Sequence, residues 1–141
     1  MATYPDRPIA GSRIVITGAT NGIGKEIARA LVRRGALLTL LARDPDKASE
    51  TVRELAAENG AITAPEYIQA DLANLDSVRT AAREIAATHS RIDTLVNNAG
   101  IHSLTGKPSA DGFDLMTATN HLGPFLLTNL LLEPIIAADR A

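Results

Sequence analysis

The sequence has no cysteine. That excludes a disulfide framework, a thiolate nucleophile and a zinc–thiolate site. It has no excess of basic charge: the formal net charge is -2, which gives no electrostatic footprint for nucleic acid. It has no long uninterrupted apolar run. The most apolar stretch, residues 125–138, is broken by Thr128, Asn129, Glu133 and Pro134, too short and too polar to span a bilayer. Residues 1–12 lack the apolar core of a secretory signal. Internal repeats and low-complexity segments are absent. His89, His102 and His121 stand in helix-end, loop and helix settings without a neighbouring carboxylate or histidine cluster, so no metal site is expected. These absences lead to the expectation of a soluble, cytoplasmic protein with neither nucleic acid nor a membrane span. What is present is 141 residues, 45% of them apolar, enough for one domain with a buried core.

Apolar runs alternate with amphipathic ones. Residues 13–17 and 37–42 are continuous apolar runs, the pattern of strands buried on both faces. Shorter runs at 66–70 and 93–97 read as two more strands. The 3.6-residue period predicts helices over 22–34, with Ile23, Ile27, Ala30 and Leu31 on one face, and over 75–88. Asp44 and Pro45 supply a cap and a first-turn proline for a helix running to Asn59 and Gly60. Gly35 suits the left-handed position that closes the first helix. Residues 101–112 read as a polar loop. From Asp111 a helical pattern runs to about Leu132, distorted at Gly123 and Pro124. This order implies an α/β fold: a doubly wound, Rossmann-type parallel sheet with helices on both faces. The expected strand order is 3-2-1-4 with right-handed crossovers, and ligands bind where the order reverses, between strands 1 and 4. Residues 1–12 form an arm and 13–141 the domain.

Residues 17–24 read T-G-A-T-N-G-I-G and join the first strand to the first helix. A loop that turns sharply and admits a pyrophosphate to its backbone needs residues without Cβ. The helix that follows offers free N–H groups and the positive end of its dipole. Gly18, Thr20, Asn21, Gly22, Ile23 and Gly24 are therefore candidates for binding a dinucleotide; an ordinary turn into a helix is the alternative. Asn97, Asn98, Ala99 and Gly100 follow strand 4 and face the same crevice. Their two amides can tie adjacent strand ends together.

With Asp71-Leu72 after strand 3 and Asn120 in T-N-H-L-G-P-F, these motifs resemble the short-chain dehydrogenase/reductase family over nearly the whole chain from Arg13. The segment 120–131 is most similar to the retinol-dehydrogenase-like and protochlorophyllide-reductase-like branch. The resemblance implies that Asp71 and the Leu72 N–H border the adenine ring, and that Asn97 and Asn98 reach the cofactor ribose. It implies that Asn120 is catalytic, holding a water that extends the proton relay; the alternative is a core Asn bonded to backbone. Arg43 ends strand 2, nineteen residues past Gly24. An acidic residue there binds ribose hydroxyls, whereas a guanidinium suits a 2′-phosphate. NADP(H) is expected over NAD(H), although Asn21 stands where NADP-preferring relatives often carry a basic residue.

The resemblance further implies a Ser and a Tyr-x-x-x-Lys pair on later elements, because hydride chemistry needs an acid at the carbonyl oxygen. Neither Tyr4 nor Tyr67 has a lysine four residues on. The expectation is the first half of the fold, truncated after strand 4 and the long helix. Three readings follow: an incomplete NADP(H)-dependent oxidoreductase acting on a small carbonyl or alcohol, a non-catalytic nucleotide-binding or regulatory module, or one subunit of a split enzyme completed in trans. Strand 4 would lie at a sheet edge, and Leu122, Phe125, Leu126, Leu130 and Leu131 would need cover. Self-association or a complementing chain is therefore expected.

Overall fold

The computed structural model describes residues 8–103 and 106–138. Most of the arm expected over 1–12, residues 1–7, lies outside the described residues, as do Leu104 and Thr105 of the expected loop. Four strands form one parallel sheet in the order β3-β2-β1-β4: β1 (Arg13–Thr17), β2 (Leu37–Ala42), β3 (Glu66–Gln69) and β4 (Thr94–Val96). Val15 of β1 lies beside Thr39 of β2 and Leu95 of β4. This is the doubly wound, Rossmann-type order anticipated from the alternation.

Both faces of the sheet are covered. Ile14, Ile16, Leu38 and Leu40 pack on one side with Ala28 and Val32 of α1 (Gly22–Arg33) and Leu55 of α2 (Pro45–Ala56). Val15 and Leu41 pack on the other with Val78 and Ile85 of α3 (Leu75–Thr88) and Leu127 of α5 (Gly123–Leu130). Each fully buried Leu or Ile contributes about 1.5–3 kcal/mol. In α1 the buried stripe is Gly24, Ala28 and Val32, one step round from the predicted face. Ile27 and Leu31 only flank it, Ala30 is exposed, and Ile23 is 78% exposed. The helix approaches β1 so closely that small residues take the contact line.

The caps explain where α2 and α3 begin. Asp44 Oδ1 accepts from Asp46 N and Lys47 N at 3.0 and 3.2 Å. Asn74 Oδ1 accepts from Asp76 N and Ser77 N at 3.0 and 3.1 Å. The long C-terminal helix is broken more often than its pattern suggests. Residues 111–113 form a turn, and Asp114 caps α4 (Leu115–Thr117). A π turn spans Ala118–Leu122, α5 follows, and α6 (Leu132–Ala138) departs at 59°. No single helix among the described residues is long and apolar enough to cross a membrane. Leu131, expected to need cover, is fully buried in the core, whereas Phe125 and Leu130 are 61% and 43% exposed. The Pro134 carbonyl in α6 accepts from Ile92 N at 2.9 Å, just ahead of β4.

His89 departs from its expected setting. It is buried at the end of α3, with Nε2 3.2 Å from Glu66 Oε1 and 3.0 Å from Thr39 Oγ1. The sheet register brings Glu66 beside Thr39, a carboxylate neighbour that the linear sequence hides. Among the described residues no group of three or more His, Cys, Asp or Glu could hold a metal ion.

Candidate functional site

A crevice of about 390 Å³ opens at the carboxyl ends of β1, β2 and β4. One wall is the start of α1. Asn21 precedes that helix in an extended conformation, yet its side chain makes no capping bond, and the first turn carries no acidic residue. Both α2 and α3 have a side-chain cap and an aspartate in the first turn. The α1 N–H groups are thus left for something else, and that something is favoured to be an anion. Gly18, Thr20, Asn21, Gly22, Ile23 and Gly24 all line the crevice, so the structure brings the predicted loop residues together.

Thr17 locks the floor. It is buried, and its Oγ1 accepts from Asn98 N at 3.1 Å and from Ala99 N at 3.0 Å. Asn98 Nδ2 answers by donating to the carbonyls of Thr17 and Gly18, at 3.1 and 3.0 Å. The glycines make this fit. A Cβ on Gly24 would stand 2.1 Å from Gly18 O and 2.3 Å from Asn98 Nδ2. A Cβ on Gly18 would stand 2.7 Å from Ala99 Cα. The T-G-A-T-N-G-I-G and N-N-A-G motifs therefore interlock, and neither can be built alone.

The ends of β2 and β3 form the far side. Arg43, Asp71 and Leu72 line the crevice there. Arg43 is exposed and has no carboxylate within ion-pair distance among the described residues. Asp71 Oδ1 accepts from Ala73 N at 2.9 Å, and Asp71 N donates to Ser77 Oγ at 3.0 Å. These bonds hold the Asp71–Leu72 turn against α3. Ala99 and Gly100 complete the lining with Ile101 and Thr119.

Two predicted residues fall outside this lining. Asn97 turns away: its Nδ2 donates to Thr128 Oγ1 on α5 at 3.0 Å, so it ties a strand to a helix and not to the neighbouring strand. Strand alternation sends adjacent asparagines to opposite faces. Asn120 sits in the π turn beside Gly100. Its Oδ1 accepts from Ile101 N and its Nδ2 donates to Ile101 O, both at 2.8 Å. This two-point bond holds the chain leaving Gly100. Ahead of the π turn Asp114 caps α4, and its carboxyl is held below the usual carboxylate range by hydrogen bonds from Thr117, first its N–H and then its hydroxyl. Thr17 has a part that the glycine motif alone does not assign to it. Its signal was a hydroxyl at the end of an otherwise apolar strand. Ile101 and Thr119 carried no such signal.

A model of the short chain dehydrogenase family matches residues 12–141. The chain belongs to that family. Human retinol dehydrogenase 13 is 39% identical over 133 residues, which cover 92% of this chain and 39% of that protein. Mouse retinol dehydrogenase 11 is 40% identical over 128 residues, covering 90% of this chain and 40% of that protein. The resemblance to the retinol-dehydrogenase-like branch is thereby supported. A metagenomic short-chain oxidoreductase solved in complex with NADP superposes with a TM-score of 0.79 at 36% identity, over 94% of this chain and 60% of that one. This short-chain dehydrogenase chain therefore spans about two fifths of the length of the curated relatives it matches. The residues present fit the dinucleotide that the family implies: an uncapped helix start for phosphates, a cation without an ion pair among the described residues, and open space above Gly22, where a Cβ would meet nothing within 4 Å.

Proposed function

We propose that this chain is the cofactor-binding part of an NADP(H)-dependent oxidoreductase acting on a small carbonyl or alcohol. The observation that carries the cofactor preference is the unpaired Arg43 guanidinium at the end of β2 in the crevice. In this reading the α1 N-terminus and the Gly18–Gly24 loop hold the pyrophosphate, and Arg43 takes the 2′-phosphate. Asp71 and the Leu72 N–H border the adenine, while Asn98, Ala99 and Gly100 face the nicotinamide riboside. The NADP complex of the metagenomic relative supports the same choice.

When bound, the nicotinamide gives hydride to a carbonyl carbon or accepts it from an alcohol. The chain's own part is to orient that ring and exclude water from it. Ile23, largely exposed at the crevice mouth, covers the cofactor with its apolar side chain. Asn120 fixes Ile101 and, with its second amide hydrogen, holds a water for the proton relay. A proton must reach the carbonyl oxygen as hydride reaches the carbon, and residues 1–141 contain no Tyr-x-x-x-Lys to deliver it.

The test is a titration of NADPH and NADH against wild type and Arg43→Asp. Wild type should bind NADPH more tightly, and the substitution should remove about 1.5–3 kcal/mol of that preference. A wild type that prefers NADH, or a preference unmoved by Arg43→Asp, refutes the assignment.

A further inference from the structure

Gln69 ends β3, opposite Ala42 at the end of β2. Its Nε2 donates to the carbonyl of Arg43 at 3.2 Å. The neighbouring carbonyl, that of Ala42, accepts from Ala70 N at 2.9 Å. On the other side Asp44 is fixed by its two capping bonds to α2. The Arg43 peptide is thus held at both ends while its side chain stands free.

That side chain has two places to go. Arg43 and Asp71 line both the crevice and an adjoining cleft of about 620 Å³. The second cleft is lined by Gln69 and by the carboxylates of Asp71, Glu84 and Asp76, the last paired with Arg79 at 3.0 Å. A guanidinium that swings into it meets negative charge and leaves the crevice without a cation. Where the guanidinium goes depends on the backbone of Arg43 as well as on its rotamers, and Gln69 holds the carbonyl of that residue. We infer that Gln69 is a positioning residue for NADP(H) selectivity: it holds the Arg43 carbonyl so that the guanidinium serves the crevice and not the acidic cleft. This rests on the reading of Arg43 as the residue that takes the 2′-phosphate.

The experiment uses the 141-residue chain and titrates NADPH and NADH against wild type, Gln69→Met and Gln69→Glu, with thermal melts alongside. Gln69→Met keeps the length and removes the donor. It should weaken NADPH about threefold to tenfold, the span of one hydrogen bond, and leave NADH within about twofold. Gln69→Glu puts a further carboxylate at the cleft and should weaken NADPH more, again selectively. Unchanged NADPH/NADH ratios in both variants, with a wild type that prefers NADPH and an Arg43→Asp that does not, overturn this inference and spare the Arg43 reading. A parallel loss of both cofactors overturns it too, since a merely structural role gives that result. A wild type without NADPH preference, or without binding, removes the Arg43 reading and this inference together.

Discussion

Thr17→Val removes one oxygen from the floor of the crevice and little else. Valine keeps the branched shape and nearly the volume of threonine in a site only 1% exposed. The lost Oγ1 accepts two backbone N–H groups, from Asn98 and Ala99; Asn98 N keeps the Val96 carbonyl as an acceptor at 3.1 Å, so the Ala99 N–H is the one left facing a methyl group. A buried donor left unpaired costs about 1–3 kcal/mol. That bond is only part-buried, so water recovers some of the loss, and the expected total is about 1–2 kcal/mol. In a domain of this size one kcal/mol moves Tm by about 3–5 °C, so the Tm followed by circular dichroism should fall by about 3–10 °C. Thr17→Ser keeps the oxygen and loses a methyl, a change of about 1 kcal/mol. Nucleotide affinity should follow the same order, wild type then Ser then Val, because Asn98 and Ala99 line the site. A Val variant as stable as wild type, or more stable than Ser, would show that the hydroxyl does not hold the end of β4.

Acid should expose two carboxylates. Glu58 is held below its usual 4.5, chiefly by its hydrogen bond from Arg33 and then by Arg29, and Asp114 below 3.8 by Thr117. A depressed folded-state pKa stabilises the fold above the unfolded value and ceases to do so as pH falls through the folded one. The stability gap between wild type and Glu58→Gln or Asp114→Asn should therefore shrink below those values; a gap constant from pH 7 to pH 2 contradicts this. Residues 1–141 alone should turn over no aldehyde or ketone with either cofactor, and cofactor oxidation that disappears in Asn120→Ala would reveal an unsuspected acid. The chain should also self-associate. Phe125, Leu130, Leu132 and Ile136 are 43–61% exposed beside a sheet that ends at β4, so sedimentation should give a mass rising with concentration, whereas a monomer at high concentration with little binding of an apolar dye would count against it.

The elements written most plainly in the sequence are those set by local chemistry. β1, β2 and α3 have the bounds that the apolar runs and the helical period imply, and Asp44 caps α2 as a local bond must. The crevice loop was legible for the same reason, since glycine spacing and a helix start are neighbours in sequence. What was not legible depends on partners far along the chain. The buried stripe of α1 follows from how near β1 comes, which puts Gly24 where Ile23 was expected. Asn97 and Asn98 look alike until the pleat sends one to Thr128 and the other to Gly18. His89 meets Glu66 only through the sheet register. The π turn at Asn120 does not show in the hydrophobic period, because α4 ahead of it has three residues, too few to reveal a shift of phase.

The bonds between Thr17 and the Asn98–Ala99 segment also set a timetable. They join residues 81 and 82 positions apart, and β1 receives β4 as a parallel neighbour only after β2 and β3 have been laid down on its other side. During synthesis the glycine loop leaves the ribosome early, but it has no floor until translation has passed residue 99. A nascent chain stopped short of β4 carries the whole phosphate motif and no place to put a nucleotide. Cofactor capture by released chains truncated at successive lengths would then switch on only once the N-N-A-G segment is included, although every one of them carries the glycines.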